Sequence, residues 1–235
     1  CAKRIEVDGK LSRERKMEVC KEAKNIAYNK IMNKILLDDN EIFPSKVVCI
    51  GRNYIEHIKE LKNEIPEEMV FFIKPNSAIS NELIFPKNQN SCHYEAEISF
   101  LIKDNKISAV AFGLDLTLRE IQSKLKQKGL PWERAKAFDG AAVFSKFISF
   151  KDDISKLGIE LFINGELKQK GDISMMINKP LQIIEEANTF LTFENGDILM
   201  SGTPCGVGAF KKGDLFVGKI LFENKILLEE EFFVS

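Results

Sequence analysis

The chain has 235 residues, which suffice for one large domain or two small ones with a substantial core. Its 34 Lys and Arg residues nearly balance its 35 Asp and Glu residues, so no global charge drives it toward nucleic acid or a membrane surface. No apolar run approaches the ~20 residues that a membrane helix needs, and the first residues lack the apolar core of a signal peptide. These features predict a soluble, cytoplasmic protein with no nucleic-acid or membrane partner.

The cysteines are odd in number and scattered, and no two of them form a Cys-x-x-Cys pair. This usage predicts reduced thiols and argues against both a disulfide framework and a cysteine zinc site. The first residue is Cys1 and not Met, so we expect that the chain has been processed or edited there. The five cysteines are Cys1, Cys20, Cys49, Cys92 and Cys205.

Residues 1–43 form a lead segment rich in Lys and Glu, and Pro44 closes it. From Ser12 to about Leu37, apolar residues recur at three- and four-residue spacings, which predicts one face of a helix with Ser12 as its N-cap. Acidic residues within the segment argue against an organellar targeting peptide. We expect the segment to pack on the domain that follows or on a partner subunit. The apolar positions are Met17, Val19, Cys20, Ala23, Ile26, Ala27, Ile31, Met32 and Ile35.

Residues 44–235 alternate short strand-like runs with turns and a few helices, which predicts one domain of the α+β class. The pairs Asn164-Gly165 and Asn195-Gly196 are typical of hairpin turns. The sequence contains no internal repeat and no low-complexity linker.

A short helix is expected after the strand-like run of residues 47–50, and it carries His57 and Glu60. Residues three apart lie on one face of a helix. Glu60 can therefore accept a hydrogen bond from one imidazole nitrogen and leave the other nitrogen able to take a proton from water. Taken by themselves, these residues favour an ordinary solvated surface helix. The second histidine, His93, is interpreted as a packed or supporting group and not as a base.

The most informative pattern is the pair of carboxylates in His93-Tyr94-Glu95-Ala96-Glu97. In a strand, residues i and i+2 point to the same face, so Glu95 and Glu97 project side by side. Two adjacent carboxylates on a buried strand are tolerable if one binds a proton or both bind a cation. Asp115, after a second apolar run, would complete an all-oxygen site for Mg²⁺, with Mn²⁺ as the alternative. A solvent-facing strand explains the pair equally well.

Four further blocks surround the three carboxylates Glu95, Glu97 and Asp115, and they follow one another along the chain. They span residues 51–61 (GRNYIEHIKEL), 71–77 (FFIKPNS), 129–139 (GLPWERAKAFD) and 196–208 (GDILMSGTPCGVG). In this order the five features resemble the fumarylacetoacetate hydrolase family, and in particular its small acylpyruvate hydrolase and oxaloacetate decarboxylase branch. The likeness runs from about residue 44 to about residue 215.

The resemblance implies a mixed β-sandwich or β-roll with the metal pocket inside it, and a homodimer. It implies that His57 and Glu60 form a water-activating pair on a lid around residues 51–66. It also implies that Lys136 and Lys74 contact the metal cluster or the substrate. One of them, Lys136 or Lys74, supplies positive charge where an oxyanion forms, and Lys136 is assigned the catalytic role. Four side chains match family positions that contact the substrate, and these are Lys74, Arg119, Gln122 and Thr203.

The activity expected from the resemblance is Mg²⁺-dependent hydrolysis of a C–C bond in an acylpyruvate, a 2,4-dioxo acid, through a metal-bound enolate. Decarboxylation of oxaloacetate and isomerisation of a 2-hydroxyhepta-2,4-diene-1,7-dioate use the same core and are the alternatives. A member that binds metal without catalysis is a third interpretation. The interval between Glu97 and Asp115 is shorter than the family pattern, with a helix apparently reduced to Lys103-Asp104-Asn105-Lys106.

Overall fold

The computed structural model describes residues 32–235. Residues 33–235 form one compact unit that contains sixteen strands and four α-helices. The helices are α1 (Ile55–Glu60), α2 (Arg119–Gln127), α3 (Glu133–Lys136) and α4 (Pro180–Ala187). The strands are β1 (Ile35–Leu37), β2 (Asn40–Ile42), β3 (Lys46–Gly51), β4 (Val70–Pro75), β5 (Ile79–Ser80), β6 (His93–Tyr94), β7 (Ala96–Lys103), β8 (Lys106–Asp115), β9 (Ala142–Phe144), β10 (Ile148–Ser149), β11 (Leu157–Ile163), β12 (Glu166–Asp172), β13 (Ile198–Met200), β14 (Gly208–Ala209), β15 (Leu215–Phe222) and β16 (Lys225–Phe233).

The larger of the two main sheets is mixed and has eight strands. Seven of them run in the order β4-β3-β13-β7-β8-β9-β5, and the eighth, β10, pairs with β8. The pairs β3–β13 and β5–β9 are parallel, and the other pairs are antiparallel. A second, four-stranded sheet runs in the order β12-β11-β15-β16 and is antiparallel throughout. Two small ladders, β1–β2 and β14–β6, complete the strands. The predicted α+β class, with a mixed β-sandwich or β-roll, is confirmed.

The eight-stranded sheet is buried on both faces, which explains its nearly continuous apolar strands. Along β7, Ile98 and Phe100 belong to the larger core cluster, whereas Leu101 belongs to a smaller cluster. The larger cluster also takes side chains from the four-stranded sheet, including Phe216. The two sheets approach closely at Gly218, where a Cβ atom would lie 2.5 Å from the Phe112 ring. The core therefore lies between the two sheets, beside the strands that carry the predicted carboxylates.

The turn between β7 and β8 confirms the shortened interval that the sequence indicates. Asp104 and Asn105 form a two-residue turn, and both have positive φ angles, 50° and 58°. This conformation matches the twist of a tight hairpin. Asn164 and Gly165 make the expected hairpin turn between β11 and β12.

Asn195-Gly196 is a turn but not a hairpin turn, so that prediction is wrong. Strand β13, which follows it, pairs with β3 and β7 and with no strand directly before the turn. Gly196 instead donates its N–H to the Ile102 carbonyl oxygen at 2.8 Å. The left-handed backbone that favours Asn-Gly is present, with Gly196 at φ 100°, but the neighbouring chain comes from the end of β7.

The predicted lead helix is wrong at its C-terminal end, because Ile35–Leu37 is strand β1. Asp38 has a φ angle of 51° and reverses the chain into β2. Ile35 is 3% exposed and joins the smaller core cluster, so burial of its side chain favours the hairpin. Residues 12–31 of the expected helix lie outside the described residues. A division of the chain at residue 43 stays a prediction. Within residues 32–235, no helix has both the length and the apolar character to cross a membrane.

Candidate active site

Three carboxylates meet at the end of the β7–β8 ladder. Glu95 lies at the break between β6 and β7, Glu97 pairs in register with Gly113, and Asp115 ends β8. The Asp115 N–H donates to the Glu95 carbonyl oxygen at 2.8 Å, which ties the two strand ends together. One oxygen from each carboxylate lies within 4.8 Å of the others, and the three residues are 5%, 2% and 1% exposed. The Glu-x-Glu pair is therefore buried and does not face solvent.

Two lysines offset the charge of this triad of Glu95, Glu97 and Asp115. Lys136 Nζ lies 2.8 Å from Glu95 Oε2 and 2.6 Å from Asp115 Oδ2. Lys74 Nζ lies 2.8 Å from Asp115 Oδ1. Burial opposes charge on Lys136, but Asp115 and Glu95 hold its pKa above the usual range. Both lysines are almost fully buried, so these ion pairs act in a medium of low polarisability and are strong.

Lys74 contacts the carboxylate cluster through Asp115, and its role as a substrate contact stays a prediction. It is fully buried and donates to the backbone carbonyl oxygens of Ala141 at 3.0 Å and Leu116 at 3.4 Å, as well as to that of Lys136. It does not belong to the side chains that line the cavity at the triad among residues 32–235. These contacts indicate that Lys74 supports Asp115 and the surrounding backbone.

Arg119 and Gln122, on the first turn of α2, reach the triad as a connected pair. The Arg119 guanidinium forms an ion pair with Glu95 and donates to Gln122 Oε1 at 2.8 Å. Burial opposes ionisation of Glu95, but Lys136 and Arg119 hold its pKa below the usual range. Glu95 is thus kept charged by two cations on two different helices.

Glu97 is the carboxylate of the triad whose negative charge is least offset by neighbouring cations. Its surroundings therefore indicate whether the site suits a metal ion. Its Oε2 accepts a hydrogen bond from the Gly202 N–H at 2.7 Å. Burial, with Asp115 and Glu95 as like charges, raises its pKa well above the usual range. A divalent cation would remove that repulsion, and carboxylate oxygens are the ligands that Mg²⁺ and Mn²⁺ prefer. The donor set therefore fits such an ion.

The predicted lid pair lies over the same cavity. His57 and Glu60 occupy α1, and His57 Nδ1 lies 3.3 Å from Glu60 Oε2. Burial lowers the pKa of His57 despite the opposing effects of Glu95 and Glu60, so the ring is neutral near pH 7. The Gly206 N–H donates to both Glu60 oxygens, at 3.1 and 3.2 Å. Gly206 has a φ angle of 97°, and a Cβ there would lie 2.0 Å from a carbonyl oxygen of β12, so only glycine fits.

Thr203 lines the cavity, and its hydroxyl is fixed by Gln169, a residue that sequence reasoning missed. Gln169 Nε2 donates to Thr203 Oγ1 at 2.8 Å, and its Oε1 accepts from the Ala96 N–H at 2.9 Å. Gln169 is 1% exposed and lies on β12, so it connects the four-stranded sheet to the Glu95–Glu97 segment. No local pattern in Lys168-Gln169-Lys170 signals this contact.

The cavity itself is narrow, and only about 30 Å³ of it is open to the centre of a water molecule. The structure brings together in this wall the triad, His57, Arg119, Gln122, Lys136 and Thr203, as the sequence predicts. Glu60 contacts His57 from outside this wall. His93 does not line the cavity, in keeping with a supporting position. The wall residues that had no assigned role from the sequence include Arg52, Lys126 and Trp132.

The fold and the site together define an enzyme built around a buried carboxylate centre in a narrow cavity. Residues 46–226 match the family described as fumarylacetoacetate (FAA) hydrolase, C-terminal. The chain therefore belongs to the fumarylacetoacetate hydrolase family, and the resemblance seen in its motifs is confirmed.

Curated relatives and a solved structure extend this assignment. The chain is 41% identical over 187 residues to an oxaloacetate tautomerase of Escherichia coli, covering 72% of this chain and 85% of the relative. It is 35% identical over 184 residues to a mitochondrial oxaloacetate tautomerase of Homo sapiens, covering 72% and 83%. A crystal structure of fumarylpyruvate hydrolase from Pseudomonas aeruginosa, in complex with Mn²⁺ and pyruvate, superposes with a TM-score of 0.78 at 27% identity, covering 87% of this chain and 96% of that one.

Proposed function

We propose that the protein interconverts the keto and enol forms of a small 2-oxo dicarboxylic acid, with oxaloacetate as the substrate. The observation that carries this proposal is the charge of the cavity wall, where four cationic side chains stand beside three carboxylates. A divalent cation at the triad would increase the positive excess, which suits a dianion. The names of the tautomerase relatives support the same substrate. The four cations are Arg52, Arg119, Lys126 and Lys136.

The triad of Glu95, Glu97 and Asp115 would hold the divalent cation. When bound, that ion would supply a Lewis acid that polarises the 2-oxo group. Lys136 helps to keep Glu95 ionised and adds positive charge beside Glu95 and Asp115. The Mn²⁺ in the name of the hydrolase structure supports a metal of this kind, and Mg²⁺ as the ion used by this protein stays a prediction.

His57 moves the proton. With Nδ1–H donated to Glu60, the lone pair lies on Nε2, and the neutral ring can accept a proton from the carbon next to the 2-oxo group. The C–H bonding pair becomes the C=C bond of the enol, the C=O π pair moves onto oxygen, and that oxygen takes a proton from solvent water. In the reverse direction the enol O–H gives its proton to water while His57 returns its proton to carbon, which gives the keto form. Glu60 orients the ring, and the Gly206 amide holds Glu60 in turn.

Hydrolysis of an acylpyruvate is the second candidate function. The His57–Glu60 contact favours it equally, because the same base can take a proton from water instead of carbon. The name of the fumarylpyruvate hydrolase structure supports a reaction of this type. Decarboxylation of oxaloacetate is a further outcome that the assay below detects.

The test is an assay of the purified protein with Mg²⁺ or Mn²⁺ against the enol form of oxaloacetate and against acetylpyruvate. We expect the enol absorbance of oxaloacetate to decay faster with enzyme, with no release of pyruvate. His57→Ala is expected to lower kcat by about 10²–10⁴-fold, the usual contribution of a positioned base. Glu60→Gln is expected to lower kcat less, since the ring remains. Glu56→Gln, at an exposed position on the same helix, is the matched control and should change nothing.

Each other outcome selects a different reaction. Pyruvate and acetate formed from acetylpyruvate, without faster decay of the oxaloacetate enol, would replace tautomerisation by hydrolysis. Pyruvate and CO₂ formed from oxaloacetate would establish decarboxylation. Thermal unfolding of each variant separates a loss of the base from a loss of the fold.

The assembly and the location of the protein are also open to direct measurement. The homodimer implied by the family resemblance stays a prediction, and sedimentation equilibrium would test it. The cytoplasmic location stays a prediction as well.

A further inference from the structure

Arg52 occupies a backbone position that the surrounding chain holds in place. It follows β3 and has a φ angle of 58°, in the left-handed region that non-glycine residues seldom adopt. The next residue, Asn53, donates through Nδ2 to the carbonyl oxygens of Asn178 and Ser201, both at 2.9 Å. The Asn178 N–H donates back to Asn53 Oδ1 at 2.8 Å. Strained positions persist where neighbours over-determine them, and they cluster at ligand sites.

The Arg52 guanidinium has few partners within residues 32–235. Its Nη1 reaches the Glu64 carbonyl oxygen at 3.5 Å, the outer limit of a hydrogen bond. Its Nε is buried and has no hydrogen-bond partner there. A guanidinium carries five N–H donors in a fork that matches a carboxylate, and a buried donor without a partner is costly. Arg52 therefore has donors to offer to an anionic ligand in the cavity.

Among the four cations of the cavity wall, Lys126, like Arg52, has no ion pair with an acidic side chain of residues 32–235. It extends from α2, and its Nζ lies 4.6 Å from the centre of the Trp132 ring. Burial, together with the like charge of Arg52, lowers the pKa of Lys126 to about 8. The ammonium is thus partly buried near a second cation, and no carboxylate of residues 32–235 forms an ion pair with it. An anion between Arg52 and Lys126 would relieve this repulsion.

The cavity wall thus contains two kinds of cation. Arg119 and Lys136 are engaged by the triad, whereas Arg52 and Lys126 are not. Aromatic rings connect the two sets. Lys136 Nζ lies 5.0 Å from the Phe72 ring, Phe72 lies 6.0 Å from Trp132, and Trp132 contacts Lys126. The second pair of cations therefore lies in the same cavity as the reacting centre, and Phe72 and Trp132 form the wall between Lys136 and Lys126.

We propose that Arg52 and Lys126 form a subsite for the distal carboxylate of the substrate, with Trp132 as its aromatic wall. The inference rests on the proposed function, in which a 2-oxo dicarboxylate occupies the cavity. The 2-oxo acid end faces the triad, and the far carboxylate is held by the Arg52 fork and the Lys126 ammonium. Arg52 and Lys126 then select a dicarboxylate over a neutral analogue and position the carbon that meets His57.

The kinetic test compares oxaloacetate with its 4-methyl ester, which removes only the distal charge. We expect Arg52→Gln to lower kcat/KM for oxaloacetate by about 10–100-fold, mainly through KM, because a charge-assisted pair is lost. The methyl ester should change by less than about 3-fold. Lys126→Met should act in the same direction with a smaller effect. Lys124→Gln, an exposed position on the same helix, is the matched control.

A binding test keeps this inference separate from the reaction. Calorimetry in the presence of Mg²⁺ compares malate with 2-hydroxybutanoate, in which a methyl group replaces the distal carboxylate. The wild type should bind malate at least about 10-fold more tightly, and Arg52→Gln should abolish the difference. If the enzyme turned over neither form of oxaloacetate but still bound malate more tightly than 2-hydroxybutanoate, the proposed reaction would be wrong. The proposed carboxylate subsite would still be supported. If Arg52→Gln weakened both ligands, or both substrates, by the same factor, the subsite would be refuted.

Discussion

The strand-borne part of the site and the rim of its cavity are built in different ways. The strand-borne part consists of Lys74, Glu97 and Asp115, which are 0%, 2% and 1% exposed and whose charged groups contact one another or the backbone. The rim consists of Arg52 and Lys126, which are partly exposed and lie on a loop and a helix. A sheet fixes the opposed charges of the strand-borne part before any ligand arrives, and Lys136 and Arg119 add positive charge to the site from two helices. The two residues proposed to meet the far end of the substrate lie off the sheet.

The largest expected effect comes from Glu97→Gln. This substitution removes the negative charge that neighbouring cations offset least in the strand-borne part of the site. Activity should fall by about 10³-fold or more, and Mn²⁺ affinity by at least about 100-fold, since a ligand oxygen is lost. The metal-free protein should become more stable by about 1–2 kcal/mol, because a buried repulsive carboxylate has been removed. Calorimetry with Mn²⁺ and urea unfolding without metal measure the two effects.

The control for this variant is Glu229→Gln, on an exposed stretch of β16 where the carboxylate pairs with Lys219. It should leave Mn²⁺ affinity unchanged and alter stability by less than about 0.5 kcal/mol, as a surface pair does. Undiminished Mn²⁺ binding by Glu97→Gln would show that the triad does not hold the ion. A loss of metal-free stability would contradict the charge argument.

A second prediction compares a lysine of the strand-borne part, Lys74, with a lysine of the rim, Lys126. Lys74→Met should destabilise the metal-free protein by about 3–5 kcal/mol, because it leaves Asp115 with one buried partner fewer and takes one donor away from three carbonyl oxygens. Lys126→Met should change stability by less than about 1 kcal/mol, since that ammonium has only the Trp132 ring as a partner in the described chain. Equal losses in urea unfolding would remove the distinction between the two parts.

The same division explains how much of the site the sequence predicts. Glu97 and Asp115 lie on apolar strands and Glu95 directly precedes the first of them, so the Glu-x-Glu pair is a local pattern. The His57–Glu60 pair is equally local, being one turn of a helix. The residues of each pair lie close together in the chain, and the family resemblance gave them their roles.

The rest of the site depends on contacts between distant segments. Gln169 reaches Thr203 and Ala96 across the two sheets, at sequence separations of 34 and 73 residues. Arg52 and Lys126 meet in one cavity although no pattern joins them. The hairpin at residues 35–42 was mistaken for helix because Ile35 fits both a helical face and a buried strand, and only its tertiary burial decides.

The smallest predicted effect is a pH dependence at the rim. Below about pH 8 Lys126 is charged, and above that pH it loses the charge that holds the distal carboxylate. Four charged groups act on Lys126, and none of them changes its charge over this range. These groups are Arg52, Arg119, Lys136 and Glu95. The pKa of Lys136 is raised, the pKa of Glu95 is lowered, and guanidinium groups stay protonated. We therefore expect kcat/KM for oxaloacetate to fall about 3–10-fold between pH 7 and pH 9.5. Over the same range kcat/KM for the 4-methyl ester should not change. Lys126→Met should abolish the fall and leave kcat/KM low at every pH. A profile that kept the same midpoint in Lys126→Met would assign the titration to another group and leave the rim lysine without a part in substrate selection.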